Sequence, residues 1–228
     1  MTDTFNIIER RPTEPVGWLE TKLPKSVMMG LHSYIETAKE NPINTNKTLV
    51  GNISKSICLE DTDDWFLQNI LGSFIHQFAE SYPGYMSSMS VITEDAPYCL
   101  QGFWVNFQKQ HEFNPLHNHC GIFSFVIWVK IPTDWREQHA LSISANSNAP
   151  IASDFEFRYF TMLGDMAPHP IVLDKQSEGV MLFFPANMRH QVYPFYNCDE
   201  ERISISGNIA FDTSENSMKQ YWETVKGR

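Results

Sequence analysis

The chain has 228 residues, 42% hydrophobic and 13% aromatic, which excludes a disordered polymer and allows one substantial core or two. Its net charge of −10 disfavours a broad grip on nucleic acid phosphates. Four scattered cysteines, Cys58, Cys99, Cys120 and Cys198, form no CxxC, so free thiols are expected rather than a disulfide framework or a cysteine zinc site.

The opening MTDTFNIIERRP places acids and arginines where a secretion signal needs an apolar core, so the expected location is a cytoplasm. No apolar run reaches the length of a membrane span; the longest, Gly121–Ile131, suits a buried strand. The N-terminal third reads as mostly helical. In PKSVMMGLHSYIETAKENP, Pro24 starts a helix, Val27, Leu31, Tyr34, Ile35 and Ala38 recur at helical spacing, and Asn41–Pro42 stops it. In DTDDWFLQNILGSFIHQFAESYPG, Asp61 or Thr62 caps a second helix. Its apolar stripe runs through Trp65, Phe66, Ile70, Leu71, Phe74, Ile75 and Phe78, and Pro83–Gly84 ends it. His32 and His76 are read as partly buried helix residues.

From about residue 98 the texture changes to short strands punctuated by Pro, Gly and Asn. In YCLQGFWVNFQKQ, Phe103, Val105 and Phe107 share one face and Trp104, Asn106 and Gln108 the other. GIFSFVIWVKIP, FEFRYF, PIVLD, GVMLFFP and RISISGNIAF read as further strands. The polar stretch between Pro132 and Asp154 reads as a long insertion with one short strand, in which His139 is solvent-exposed. The expected fold is mainly β with N-terminal helices: a double-stranded β-helix, that is, a cupin-like jelly roll. Residues 1–95 form a helical support, 96–212 the core with its insertion at 133–153, and 213–228 a terminal helix, all in one structural domain.

His117 and His119 stand at the mouth of the most apolar strand. With eight histidines in the chain, roughly 0.3 such H-x-H pairs arise by chance, so the pair alone decides nothing. On a strand, however, residues i and i+2 face the same way, and two imidazoles can converge on one iron or zinc. A third ligand is expected from a distant strand, and GVMLFFPANMRHQVYPF delivers His190 after a turn. Arg202 then opens a strand on which Ser204 and Ser206 share its face. A buried guanidinium needs a carboxylate partner, either a protein acid or a dicarboxylic acid held by Arg202 and the Ser204 hydroxyl. Asn106, on the strand before H-x-H, is a candidate to orient such a ligand. His111 reads as a turn residue and His169 as structural.

The HNH segment followed by FPANMRHQVYPFYNCDEERISISGNIAF resembles the core of the iron(II)/2-oxoglutarate-dependent oxygenases, above all the small members encoded by marine bacteriophages and marine bacteria. The resemblance spans about residues 98–211. It implies His117 and His190 as iron ligands, Arg202 on the distal carboxylate of 2-oxoglutarate, and Ser204 beside it. Fe(II) would be the cofactor, 2-oxoglutarate the cosubstrate and dioxygen the oxidant, the outcome being hydroxylation of a substrate C–H bond with release of succinate and carbon dioxide. His119 falls where most of the superfamily has the carboxylate of H-x-D; it is either a third ligand or stands off the metal. The substrate is an unidentified small molecule or protein side chain, with no membrane partner, and a phage-encoded chain would work in its host's cytoplasm. Two other readings stay open: a three-histidine cupin enzyme without 2-oxoglutarate, and a non-catalytic jelly-roll binding or structural protein.

Overall fold

A computed structural model describes residues 6–10, 16–89, 96–161 and 163–214; the expected terminal helix at 213–228 lies almost wholly outside them. In chain order the elements are β1 (Ile8–Arg10), β2 (Trp18–Lys22), α1 (Lys25–Glu40), β3 (Lys55–Cys58), α2 (Gly72–Ser81), α3 (Tyr85–Ser88), β4 (Tyr98–Gln108), β5 (Asn114–His117) and β6 (Phe123–Lys130). They continue with α4 (Trp135–His139), β7 (Phe155–Phe160), β8 (Met166–Ile171), β9 (Val180–Pro185), β10 (Arg189–Val192) and β11 (Arg202–Phe211). A seven-stranded sheet runs in the order β1-β2-β9-β6-β11-β4-β3, and a four-stranded sheet in the order β5-β10-β7-β8. From β4 onward the chain steps repeatedly between the two sheets, and every strand pairing is antiparallel. This is the jelly roll expected from the sequence.

Strand alternation divides the interior into two compartments. Phe123, Phe125, Ile127 and Val129 of β6, with Met181 and Phe183 of β9, join the core beneath the helices. Val126, Trp128, Leu182 and Phe184 of the same strands join the core between the sheets. A strand covered on both faces needs no polar side, which is why these two read as near-continuous apolar runs. The helix-side core receives Val27, Leu31 and Ile35 from α1 and Phe74 and Phe78 from α2. Asp61 ties these helices together: its carboxylate accepts from the N–H groups of Phe66 and Leu67 and from the Tyr34 hydroxyl, at 2.8–2.9 Å. A π-helical turn, Leu67–Leu71, then leads into α2.

Several expectations change. The N-terminal third supplies β1, β2 and β3 to the large sheet as well as helices. His32 and His76 are exposed rather than partly buried. The strand expected at PIVLD lies earlier, at Met166–Ile171, where Pro168 and Pro170 occupy the outermost strand of the small sheet. The insertion carries a helix instead of a strand, because the Asp134 side chain accepts from the Arg136 N–H and caps α4.

The centre of β11 has no room for a side chain at Gly207. A Cβ there would stand 2.7 Å from the Gly102 carbonyl oxygen on β4 and 2.6 Å from the Phe125 ring on β6. Backbone cannot yield as a flexible side chain would. Gly207→Ala is therefore expected to cost about 3 kcal/mol, the upper end for overpacking. A lowered denaturant midpoint at unchanged slope checks it.

Candidate metal centre and cosubstrate pocket

The six residues singled out from the sequence line one cavity of about 370 Å³ between the sheets. Asn106, Arg202 and Ser204 come from the large sheet through β4 and β11; His117 and His190 come from the small sheet through β5 and β10. His117 and His190 are paired directly across these strands. His119 is not on the strand, which ends at His117; it sits in the following loop, where its N–H donates to the Ala186 carbonyl at 2.7 Å. The shared-face argument thus holds for His117 alone, and the loop brings the second imidazole in.

The three imidazoles converge, with their ligating nitrogens all within 4.8 Å of one another. His119 Nε2 lies 3.2 Å from His190 Nε2. Two nitrogens each about 2.0–2.1 Å from one ion are roughly 3.0–3.4 Å apart, so this spacing suits a shared metal. His117 Nδ1 is 2.7 Å from the Pro115 carbonyl and His190 Nδ1 is 2.9 Å from that of Met188. Carbonyls only accept, so each Nδ1 carries the proton and each Nε2 keeps its lone pair for a metal. Phe155 stacks on His190 with 5.6 Å between centroids, and the Phe184 ring meets it at 5.0 Å. Burial drives the imidazoles toward the neutral, ligating form: His117 is lowered, His119 is lowered to about 4 with help from the neighbouring His117 charge, and His190 is lowered strongly.

Arg202, 2% exposed, is the other half of the site. Its Nη2 donates to the Ser153 carbonyl at 2.9 Å and to the Ser153 hydroxyl, while Nε and Nη1 are buried without a partner. Two orphaned N–H donors on a fully buried guanidinium are expensive unless an acceptor fills them, and a carboxylate takes such a fork in two parallel bonds. The donors present therefore fit both a divalent metal and a carboxylate-bearing ligand. Asn106 is oriented by the Ser56 hydroxyl, which donates to its Oδ1 at 2.7 Å, leaving the amide N–H groups for the cavity.

Three participants were not legible from the sequence. Ser153 holds Arg202, and Ser56 orients Asn106. His139, expected in solvent, has a side chain only 14% exposed and lies 2.9 Å from a carboxylate oxygen of Asp154. Their partners are distant in sequence, and no local pattern announces them. His111 is a turn residue with φ 70°, as expected, and His169 packs against the Trp18 ring. Among the described residues no helix is long and apolar enough to cross a membrane.

Residues 102–208 match the family described as "Putative 2OG-Fe(II) oxygenase". A comparison with curated protein sequences gave no match. Among solved structures, the alpha ketoglutarate dependent epimerase SnoN from nogalamycin biosynthesis is similar at 14% identity and a TM-score of 0.51, over 87% of this chain and 79% of that one. A Pseudomonas putida prolyl-4-hydroxylase is similar at 13% identity and a TM-score of 0.48, over 86% and 94%. A 2OG-Fe(II) oxygenase family oxidoreductase from Burkholderia pseudomallei follows at 14% and 0.47, over 87% of each chain. At this identity the likeness to SnoN speaks for the fold alone, and the match over 102–208 speaks for the family of that region. Residues 102–208 carry a 2OG-Fe(II) oxygenase domain, the dioxygenase class that uses Fe(II), 2-oxoglutarate and dioxygen.

Proposed function

We propose that this enzyme hydroxylates a C–H bond of its substrate while 2-oxoglutarate is converted to succinate and carbon dioxide. His117, His119 and His190 hold the iron; Arg202, Ser204 and Asn106 hold the cosubstrate. Bound iron supplies the activation of dioxygen that couples the two oxidations. The protein's own residues do the placing. The Nδ1–H bonds to Pro115 and Met188 fix the rings of His117 and His190. Arg202 receives the distal carboxylate through Nε and Nη1, with the Ser204 hydroxyl beside it, and the Asn106 amide steadies the acid along the cavity. Trp104, Trp128 and Phe184 line the same cavity and keep it dry.

The observation that carries this reading is a buried guanidinium with two unpartnered N–H groups in one cavity with three convergent imidazoles. The substrate is a small molecule or a protein side chain, since a chain of charge −10 is poorly matched to nucleic acid. The paired HNH and FPANMRHQVYPF segments support kinship with the marine bacteriophage members, and with it a host cytoplasm as the place of action.

One observation favours a second reading, a three-histidine enzyme that does not use 2-oxoglutarate: the cluster contains no carboxylate. Anaerobic absorbance separates the two. Addition of Fe(II) and then 2-oxoglutarate is expected to produce a visible metal-to-ligand charge-transfer band. Iron binding without the band would replace the first reading by the second. A chain that binds no iron would be left as a jelly-roll binding protein.

A further inference from the structure

The 133–154 segment ends against the buried side of Arg202. Ser153, at φ 76°, gives both its carbonyl and its hydroxyl to Nη2. Thr133 Oγ1 lies 3.2 Å from the Ser153 hydroxyl, and the Ser153 N–H donates to the Pro194 carbonyl, so this serine is fixed from both sides. Asp154 follows, 1% exposed. Its Oδ1 is 2.9 Å from His139 Nε2 on α4, and its Oδ2 is buried without a partner. Asp154 is the acid whose field acts on Arg202, although no ion pair within 4.0 Å joins them. The Arg202 guanidinium and the Asp154 carboxylate sum to zero charge. A ligand carboxylate arriving at Nε and Nη1 would leave one guanidinium facing two anions in a low-dielectric interior.

We propose that the His139–Asp154 pair is a proton-linked positioning element for 2-oxoglutarate, taking up one proton as the cosubstrate's distal carboxylate engages Arg202. This rests on the cosubstrate assignment made under the proposed function. Neither residue lines the cavity; both act through Arg202 and Ser153. The charged groups facing Asp154 are His139 from α4, Arg202 from β11 and Glu156 from β7. Glu156 is already engaged by Arg158 at 2.5 Å and Gln191 at 2.6 Å, and Arg136 of α4 is engaged by Asp134 and Asp174. Burial raises Asp154 to about 6, against the downward pull of His139 and Arg202. A carboxylate that neutralises Arg202 weakens that pull, so Asp154 rises further in the complex. Between the two values the complex holds a proton that the free enzyme lacks, and affinity falls as pH rises.

The test uses the full chain loaded with Fe(II) under anaerobic conditions, titrated with 2-oxoglutarate from about pH 6 to pH 8 and read by the charge-transfer band. Affinity is expected to fall by up to about tenfold per pH unit. 2-Oxovalerate keeps the chelating 2-oxo acid and ends in a methyl group; it is expected to show no such dependence. Asp154→Asn is expected to flatten the dependence for 2-oxoglutarate. Calorimetry of the wild type in two buffers of different ionisation enthalpy needs no variant, and is expected to give net proton uptake with 2-oxoglutarate and none with 2-oxovalerate. Equal slopes for the two acids, or an unchanged slope in a folded Asp154→Asn, would overturn the proposal. A wild type with no band at all would instead remove the cosubstrate assignment beneath it.

Discussion

Arg202→Ala is expected to weaken 2-oxoglutarate binding by about 100-fold or more while leaving Fe(II) bound. Hydrogen bonds to a charged group contribute about 1.5–3 kcal/mol each, and the guanidinium has two buried donors to offer. Losing both removes at least about 3 kcal/mol, which is the stated factor. The iron side is spared because the imidazoles sit on β5, β10 and the loop after β5, whereas Arg202 sits on β11 of the other sheet. Removing the cation also strands the buried Asp154, so some loss of stability accompanies the change. Arg202→Lys separates the effects: it keeps the charge and loses the planar fork, and is expected to fall between the wild type and Arg202→Ala. The measurement is the anaerobic titration of the charge-transfer band, and wild-type affinity in a folded Arg202→Ala would sink the cosubstrate assignment.

His190→Ala is expected to weaken Fe(II) binding by at least about 100-fold, beyond the 10–100-fold typical of losing a residue that merely supports a ligand. The ring is buried between Phe155 and Phe184, close to both other histidines, with Nδ1 tied to the Met188 carbonyl. Alanine removes a donor from the centre of the cluster and leaves a space that the rigid strand β10 cannot close. His119→Ala is expected to fall in the 10–100-fold range, since a loop residue is less firmly placed. Equilibrium titration with Fe(II) reads both. Unchanged iron affinity in His119→Ala would take His119 out of the coordination sphere and leave a two-histidine site.

How legible was this molecule in its sequence? The helices were, because proline and aspartate mark their ends and a wide apolar stripe fixes their buried faces; α1 begins after Pro24, and the Asp61 carboxylate accepts from the Phe66 and Leu67 N–H groups where the helical stretch leading into α2 starts. Strands β4 and β11 were legible through alternation, and that alternation put Asn106, Arg202 and Ser204 on the cavity side. Three causes hid the rest. Short strands such as β1 and β3 are held by neighbours already in the sheet rather than by their own pattern. β8 carries two prolines and was displaced by the more apolar residues after it. The Arg202 surroundings depend on contacts across dozens of residues, from Ser153 to Arg202 and from His139 to Asp154, where a polar stretch looks like solvent-facing loop until its partners are known.

The prolines of β8 have a consequence at the rim of the molecule. Pro168 and Pro170 are two residues apart on the outermost strand of the small sheet, so both backbone nitrogens face the same side. Since the inner side is spent on β7, the missing donors fall on the outward side, where a visiting chain would look for them. At the opposite border, β5 is four residues long and contains Pro115. The sheet that carries the histidines is thus a poor template for an added strand on either flank. A polypeptide presented to this enzyme would have to reach the iron through the opening between the sheets, offering a side chain inward instead of annealing along an edge.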